Sequence, residues 1–269
     1  MLSGAPNINS AAWIPIAVRD FDHTVGSIVP PAFEAYARVF HPAARREGKR
    51  EVPVSWTEVA AANERKMHPA AEWGSITGSW KYQYRSTQPG LWEQAPSTGE
   101  LPREVASRLV SILVAHTRDP DHGYFGVWDG REAGEAIFLF KEGTPEDAKQ
   151  RARDEHAAEV AAWRELLESG ASFTASDRTM HLLQGPLPAI DEFYEGSGLL
   201  RDPPSLWWPG DNAWCVGTDI DLMTTYIGGS REAVEALLGD EKLEVLAVPD
   251  DQRITWDADT VNPLPAPPG

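Results

Sequence analysis

The chain has 269 residues, of which 42% are apolar and 24% are charged, and its formal net charge is -17 at pH 7. This length and apolar content are enough for a sizeable core, which excludes a wholly disordered chain. The negative charge would repel phosphate backbones, so we expect no nucleic-acid partner. The longest apolar run, residues 11–18, is interrupted by Pro15 and is too short to cross a bilayer, so we expect no membrane association.

The cysteine and histidine content restricts the redox and metal chemistry. Cys215 is the single cysteine, so an intramolecular disulfide is excluded. Trp214 and Val216 flank it in a strand-like pattern, and we therefore expect a buried, unreactive thiol. The seven histidines include no close pair and no H-E-x-x-H motif, so we expect no zinc site. The start of the sequence lacks the pattern of a signal peptide, and we expect a cytoplasmic protein.

The first half of the chain is predicted to contain three helices and two strands. Pro30-Pro31 with apolar residues at helical spacing, the capping-box pair Ser55 and Glu58, and an apolar stripe after Pro102 indicate the helices. In chain order the predicted helices are residues 30–41, 55–66 and 102–116. The segment 67–101, rich in Gly, Pro, Ser and Trp, is predicted to be irregular. Residues 123–128 and 136–140 are predicted to pair as a hairpin.

The second half is predicted to alternate strands and helices after one long exposed helix. The predicted helices are residues 144–169, 187–194 and 230–238, and the predicted strands are residues 179–183, 213–219, 222–227 and 243–248. The whole is an α+β fold, with mixed or mostly antiparallel sheets and flanking helices. It forms one large domain or two closely packed lobes. The lobes would be residues 1–142, with the irregular segment, and residues 143–269, which are acidic and end in a Pro-rich tail.

Two Asp-x-Asp pairs in the acidic final segment are the candidate ligands for a divalent cation. They are Asp219 with Asp221 and Asp257 with Asp259. In an extended chain, residues two apart point to the same face, so each pair presents two carboxylates together. If the two pairs met, they would form a Mg²⁺ or Mn²⁺ site. The alternative is that the carboxylates solvate a strand end and the tail. We expect no other cofactor.

Gly228, Gly229 and Ser230 lie between a predicted strand and a predicted helix, and they are a candidate anion site. A glycine turn that leads into a helix presents free N–H groups and the positive end of the helix dipole. However, the sequence has no phosphate-loop lysine and no G-x-G-x-x-G motif, and Glu232 lies in the same first turn. The alternative is that the glycines form the turn and Ser230 caps the helix.

Tryptophan is unusually abundant, with eleven residues in the chain. Trp207 and Trp208 are adjacent, so in an extended chain they face opposite sides, and we expect one of them to be exposed. With Asp211 in the following turn they are the candidate binding residues, because Trp-lined clefts bind sugars, quaternary ammonium groups or proline-rich peptides. The alternative is that the tryptophans pack irregular segments against the core.

Four segments carry a resemblance to other proteins. Residues 207–221 read WWPGDNAWCVGTDID and residues 225–230 read TYIGGS, while residues 9–15 read NSAAWIP and residues 89–92 read PGLW. This pattern resembles a group of uncharacterised, hypothetical actinobacterial proteins, and it spans most of the chain. The resemblance implies a bacterial cytosolic protein. It implies no activity and no catalytic residue.

The charge distribution favours one of three functions. Residues 201–269 carry thirteen acidic and four basic side chains, whereas residues 1–50 carry four acidic and six basic ones. This asymmetry favours a non-catalytic interaction protein, immunity-like or adaptor-like, whose acidic face binds a basic protein partner. The first alternative is a divalent-metal-dependent enzyme that acts on a phosphorylated or sugar substrate. The second is a small-molecule binder with a Trp-lined pocket.

Overall fold

The computed structural model describes residues 1–18, 23–80, 88–130, 138, 140–141, 143–175, 177–195 and 203–265. Within these residues the protein has an α+β fold. The α-helices are α1 (Trp13–Ala17), α2 (Trp56–Ala62), α3 (Trp73–Thr77), α4 (Arg103–Leu113), α5 (Glu146–Glu168) and α6 (Arg231–Leu238). Short 3-10 helices occur at Asn9–Ala11, Val25–Ser27, Val114–His116 and Leu187–Tyr194.

The strands of the described residues form a nine-stranded sheet and a separate hairpin. They are β1 (Ser3–Gly4), β2 (Ala35–Phe40), β3 (Ala43–Glu47), β4 (Arg50–Val54), β5 (Gly123–Trp128), β6 (Ser172–Ala175), β7 (Arg178–Gly185), β8 (Leu206–Pro209), β9 (Cys215–Thr218), β10 (Thr224–Gly229) and β11 (Val245–Val248). The order in the large sheet is β1-β7-β5-β8-β9-β10-β2-β11, with β6 also paired to β7, and β3 pairs with β4. These pairings are antiparallel.

The sheet joins the two halves of the chain. β5 lies between β7 and β8, and β2 lies between β10 and β11. Strands from before and after residue 142 are therefore interleaved in one sheet, and residues 1–142 and 143–269 pack together in the clusters on both of its faces.

Helices cover one face of the sheet, and the N-terminal segment covers the other. Helices α4 and α6, the 3-10 helix Leu187–Tyr194 and Trp163 of α5 pack on the first face. Ile14, Val25 and Ile28 pack on the second. Because both faces are covered, the central strands are buried on both sides. A third cluster lies beyond the sheet, where α2, α3 and the β3–β4 hairpin surround Trp56, Trp73 and Trp92.

The segment predicted to be irregular, residues 67–101, is closed by its own aromatic side chains. The rings of Trp56 and Trp73 lie 5.1 Å apart, and those of Trp73 and Trp92 lie 5.3 Å apart. Trp73 and Trp92 are both buried. The segment also contains the short helix α3, which the sequence did not predict. Here the interpretation that tryptophans pack an irregular segment is confirmed.

Of the predicted helices and strands, one is clearly wrong, and several short strands, among them β1, β3, β6 and β8, were not predicted. Helices α2, α4, α5 and α6 lie where they were predicted, and the side chain of Ser55 caps α2 as expected. The helix predicted over residues 30–41 is wrong, because residues 35–40 form β2. Consecutive residues 36–40 are buried, since β2 lies between two strands with both faces covered. The predicted partner of β5, residues 136–140, lies mostly outside the described residues, and β5 pairs with β7 and β8.

Candidate interaction surface

Trp207 and Trp208 do not reach the protein surface. Both are 0% exposed, so the prediction that one of them is exposed is wrong. They do face opposite sides of β8: Trp207 packs against Trp214 in an edge-on contact at 5.1 Å, and Trp208 stacks with Tyr124 at 6.0 Å. The error arises because β8 lies inside the sheet, where helices cover one face and the N-terminal segment covers the other. The two indoles are core residues.

Asp211 holds a turn together. Its carboxylate accepts hydrogen bonds from the Thr117 hydroxyl at 2.7 Å and from the Arg118 backbone N–H at 2.9 Å. Burial opposes ionisation, but these bonds and one from the Ala213 N–H outweigh it and lower the pKa of Asp211. The side chain that was predicted to bind a partner therefore joins two loops of its own chain.

The four aspartates of the Asp-x-Asp pairs do not form one site. Three of them have side-chain partners of their own: Asp219 pairs with Arg178, Asp257 pairs with Arg253, and Asp259 bonds the His68 ring. Asp221 is exposed, and its backbone N–H donates to the neighbouring Asp219 carboxylate at 3.0 Å. Among the described residues, no group of three or more His, Cys, Asp or Glu side chains is arranged to hold a metal ion. The arrangement that the metal hypothesis required is not formed.

The Gly228-Gly229-Ser230 turn is satisfied by the protein itself. The Ser230 hydroxyl accepts from the Ala233 N–H at 3.2 Å and caps α6. The Glu34 carboxylate accepts from the Arg231 N–H at 3.4 Å, so an internal anion already lies at this helix start. A Cβ atom on Gly228 would lie only 2.4 Å from the Phe33 ring, and the glycine is needed for this close packing. These contacts favour the structural role for this turn.

Exposed apolar side chains gather instead in the C-terminal segment. Trp256 is 64% exposed, Val261 53% and Leu264 41%. We use the name C-terminal surface for these three residues together with the half-buried Trp80, which contacts Trp256 and bonds Pro265. Trp256 was not among the predicted site residues, although the polar Thr255 and Asp257 on either side of it are typical of an exposed segment.

The two indoles of the C-terminal surface hold each other in place. The rings of Trp80 and Trp256 lie 5.6 Å apart at an angle of 84°, which is an edge-on contact. Trp80 packs over Gly74 of α3, where a Cβ atom would lie 2.5 Å from the ring. Helix α3 ends at Gly78, whose φ of +70° turns the chain so that Trp80 folds back over the helix. The Trp80 Nε1 donates to the Pro265 carbonyl oxygen at 3.3 Å.

The segment below this surface is fastened to residues 66–72. The Asp259 carboxylate accepts from the backbone N–H groups of Val261 and Asn262 at 3.0 and 2.8 Å and bonds the His68 Nε2 at 2.8 Å. The Asn262 side chain bonds both the N–H and the carbonyl of Lys66 at 2.9 Å. Burial opposes ionisation of Asp259, but its hydrogen bonds, led by those from Asn262, lower its pKa. We call these contacts the Asp259 clamp.

A buried ion pair adjoins the Asp259 clamp. The Arg38 guanidinium is buried, lies 4.8 Å from the centre of the Phe40 ring and bonds the Glu72 carboxylate at 2.9 Å. Burial raises the pKa of Glu72 to about 7, against the effect of the Arg38 charge. The Glu72 N–H donates to Asp259 at 3.4 Å and so connects the ion pair to the clamp. The C-terminal surface therefore rests on a rigid polar support.

A cleft of about 870 Å³ lies between the start of α2, α4 and residues 241–244. No tryptophan lines it, so it is not the Trp-lined pocket of the sequence analysis. Its charged side chains are mixed in sign: Arg103, Arg108, Lys242, Glu104, Glu241 and Glu244. Glu244 bonds the first turn of α2 and Arg108 pairs with Asp240, so both have structural roles.

Within the part of the chain that the structure describes, no helix combines the length and the apolar character needed to cross a bilayer. The architecture does not by itself indicate an activity, since one fold serves many functions. In comparisons with protein-family models, curated proteins and solved structures, no match to this chain was found.

Proposed function

We propose that this chain is a non-catalytic interaction protein whose acidic C-terminal segment binds a basic protein partner through Trp256. The observation that carries the proposal is the exposure of this one indole. Six tryptophans are fully buried, namely Trp56, Trp73, Trp92, Trp207, Trp208 and Trp214. Trp256 instead presents nearly two thirds of its surface to solvent, in a segment where Val261 and Leu264 are also exposed. Apolar side chains exposed close to one another are typical of contact sites.

The setting of Trp256 suits an anchor residue. Tryptophan is enriched among the residues that contribute most to binding, because a large ring is buried at little cost in side-chain entropy. Trp80 packs against one side of the ring, and the Asp259 clamp holds the segment that follows. A partner would therefore lose little free energy in ordering this surface.

The charge near the anchor favours a basic partner. Residues 249–265 contain four aspartates and one arginine. Asp251 is exposed, Asp257 is partly exposed and pairs with Arg253, and Asp259 is buried in the clamp. Elsewhere in the acidic segment, Asp219 and Asp240 pair with Arg178 and Arg108. The acidity open to a partner is therefore smaller than the sequence count, and part of it lies beside Trp256. Such charges speed association with a cationic surface.

The test is affinity capture with the full chain as bait, beside a Trp256→Ala variant. We expect a partner of basic isoelectric point that is lost in the variant. Its capture should weaken between about 50 mM and about 300 mM salt, because exposed charges are then screened. An Asp251→Asn variant should lower the association rate more than it raises the dissociation rate.

The matched control is Ile16→Ala, because Ile16 is also a strongly exposed apolar side chain but lies far from Trp256 in the sequence. This control should retain the partner. The proposal is wrong if Trp256→Ala captures the same partner as the parent chain, or if the parent chain captures no basic protein at either salt concentration.

A further inference from the structure

The C-terminal surface already holds a proline-rich segment. Residues 263–269 contain Pro263, Pro265, Pro267 and Pro268, and the structure describes this segment as far as Pro265. A chain so rich in proline favours the polyproline II conformation and leaves its carbonyl groups without backbone donors. One of these carbonyls, that of Pro265, accepts the indole N–H of Trp80.

The chemistry of this contact is that of polyproline recognition. Proteins that bind proline-rich segments present aromatic rings that flank the prolines, with donors that reach the free carbonyls. Trp80 supplies a donor, and the edge-on pair of Trp80 and Trp256 supplies two ring surfaces at an angle of 84°. Trp256 retains most of its ring surface in solvent while the internal segment is in place.

We propose that Trp80 and Trp256 bind a proline-rich segment of the partner, flanked by Lys or Arg, and that residues 263–265 occupy the Trp80 donor until that segment displaces them. This inference rests on the proposed function and names the class of ligand. The flanking cations follow from the exposed Asp251, five residues before Trp256 in the sequence, and from Asp257, which follows Trp256 and is partly exposed although it pairs with Arg253. An internal ligand acts at an effective concentration on the order of millimolar, so it weakens binding of a competitor without abolishing it.

The experiment uses the intact chain and the synthetic peptide RPLPAPPR, which repeats residues 263–268 between two arginines. Binding is followed through the indole N–H signals of the tryptophans in a ¹H–¹⁵N NMR spectrum, with those of Trp80 and Trp256 assigned by substitution to Phe. We expect the peptide to shift these two signals selectively. The control peptide RGLGAGGR, without proline, should shift neither signal.

Three variants of the intact chain sharpen the test. Trp80→Phe keeps a ring over Gly74 but removes the donor, and it should weaken peptide binding about tenfold. The double change Pro263→Gly, Pro265→Gly makes the internal ligand more flexible and should tighten binding of the peptide. Ile16→Ala should leave binding unchanged. Far-ultraviolet circular dichroism checks that each variant is folded.

The outcomes separate this inference from the proposed function. If the peptide shifts neither signal, or binds Trp80→Phe as well as the parent chain, the inference is overturned, even when a basic partner is captured through Trp256. The peptide SPLPAPPS replaces the two arginines by serine. If it binds as well as RPLPAPPR and no basic protein is captured, the proposal of a polyproline site is supported and the proposal of a basic partner is wrong. If the chain forms a concentration-dependent dimer that Trp80→Phe abolishes, the surface binds the proline-rich tail of a second copy. That result would overturn the proposal that it binds a different protein.

Discussion

At the scale of single residues, burial determines the chemistry of Cys215. The side chain is 0% exposed in β9, and burial raises the pKa of its thiol. Because the thiolate is the reactive form, we expect a thiol reagent to label the native protein far more slowly than the protein in concentrated urea. The measurement is the labelling rate in both states. Comparable rates would show that the thiol is accessible in the folded protein.

Neighbouring residues in the sequence predict the direction and burial of some side chains, but not which elements pack against them. The flanking Trp214 and Val216 were enough to predict the burial of Cys215. The alternation at Trp207 and Trp208 correctly predicted that the indoles face opposite sides of the strand. It could not show that both sides are covered, since the cover on each side comes from other elements, among them α4 and the N-terminal segment, which are distant in the sequence. Trp256 was missed because a sequence does not show which side chains remain without packing neighbours in the fold.

At the scale of elements, the first turn of α2 has two sources of stabilisation that differ in range. The Ser55 hydroxyl accepts from the Glu58 N–H at 3.0 Å. The Glu244 carboxylate accepts from the backbone N–H groups of Trp56 and Thr57 at 2.6 and 2.7 Å. We expect Ser55→Ala to lower the free energy of unfolding by about 1 kcal/mol. Glu244→Ala should lower it by about 2 kcal/mol, because it leaves two N–H groups without their acceptor.

The measurement is urea-induced unfolding of the two variants beside the parent chain. Arg46→Ala is a suitable control, because its ion pair with Glu51 is exposed and should contribute little. If Glu244→Ala proved no more destabilising than the Arg46→Ala control, the long-range carboxylate would have no part in stabilising the helix.

The two contacts at the start of α2 differ in whether the local sequence predicts them. The spacing of Ser55 and Glu58 was enough to place the start of α2, since a cap is a local feature. Nothing in that stretch indicates Glu244, which lies 187 residues further along the chain. The error at residues 30–41 has the same origin. An apolar run that is buried on both faces of a strand also matches helical spacing, and only the neighbouring strands β10 and β11 decide between the two.

At the scale of the whole molecule, two buried groups give opposite dependences of stability on pH. Burial, aided by the Arg38 charge, lowers the pKa of His41 from 6.5 to about 4. Below pH 6.5 the unfolded chain takes up a proton that the folded chain does not. Stability is therefore lost as the pH falls from 6.5 to 4, by about 3 kcal/mol. The ring nitrogens of His41 bond the Ser97 carbonyl and the Thr225 hydroxyl, each at 2.8 Å. The bond to Ser97 favours the protonated ring, but burial outweighs it and keeps His41 neutral.

Glu72 acts in the opposite direction. Burial raises its pKa from 4.5 to about 7, so between these values the folded chain keeps a proton that the unfolded chain has released. Stability is therefore lost as the pH rises from 4.5 to 7, again by about 3 kcal/mol. We expect these two contributions to nearly cancel in the parent chain. The free energy of unfolding of the His41→Gln variant should fall as the pH rises. That of the Glu72→Gln variant should increase as the pH rises.

Chemical denaturation at about pH 4.5, 5.5 and 6.5 measures the slope of the free energy of unfolding against pH for each variant. Most other carboxylates contribute equally to both variants, so the difference between the two slopes reports on His41, Glu72 and the Asp259 carboxylate that interacts with Glu72. Slopes of the same sign and size would mean that neither group titrates as its burial requires.

The position of β2 has a consequence for how the protein is made. Its two neighbours, β10 and β11, begin at residues 224 and 245, whereas β2 itself ends at residue 40. During synthesis, β2 leaves the ribosome long before either partner exists, and both of its edges stay unpaired. The central sheet can close only after residue 248 has emerged. Until then, the nascent chain must keep an apolar strand in solution, which makes it a natural client for chaperones that bind extended apolar segments.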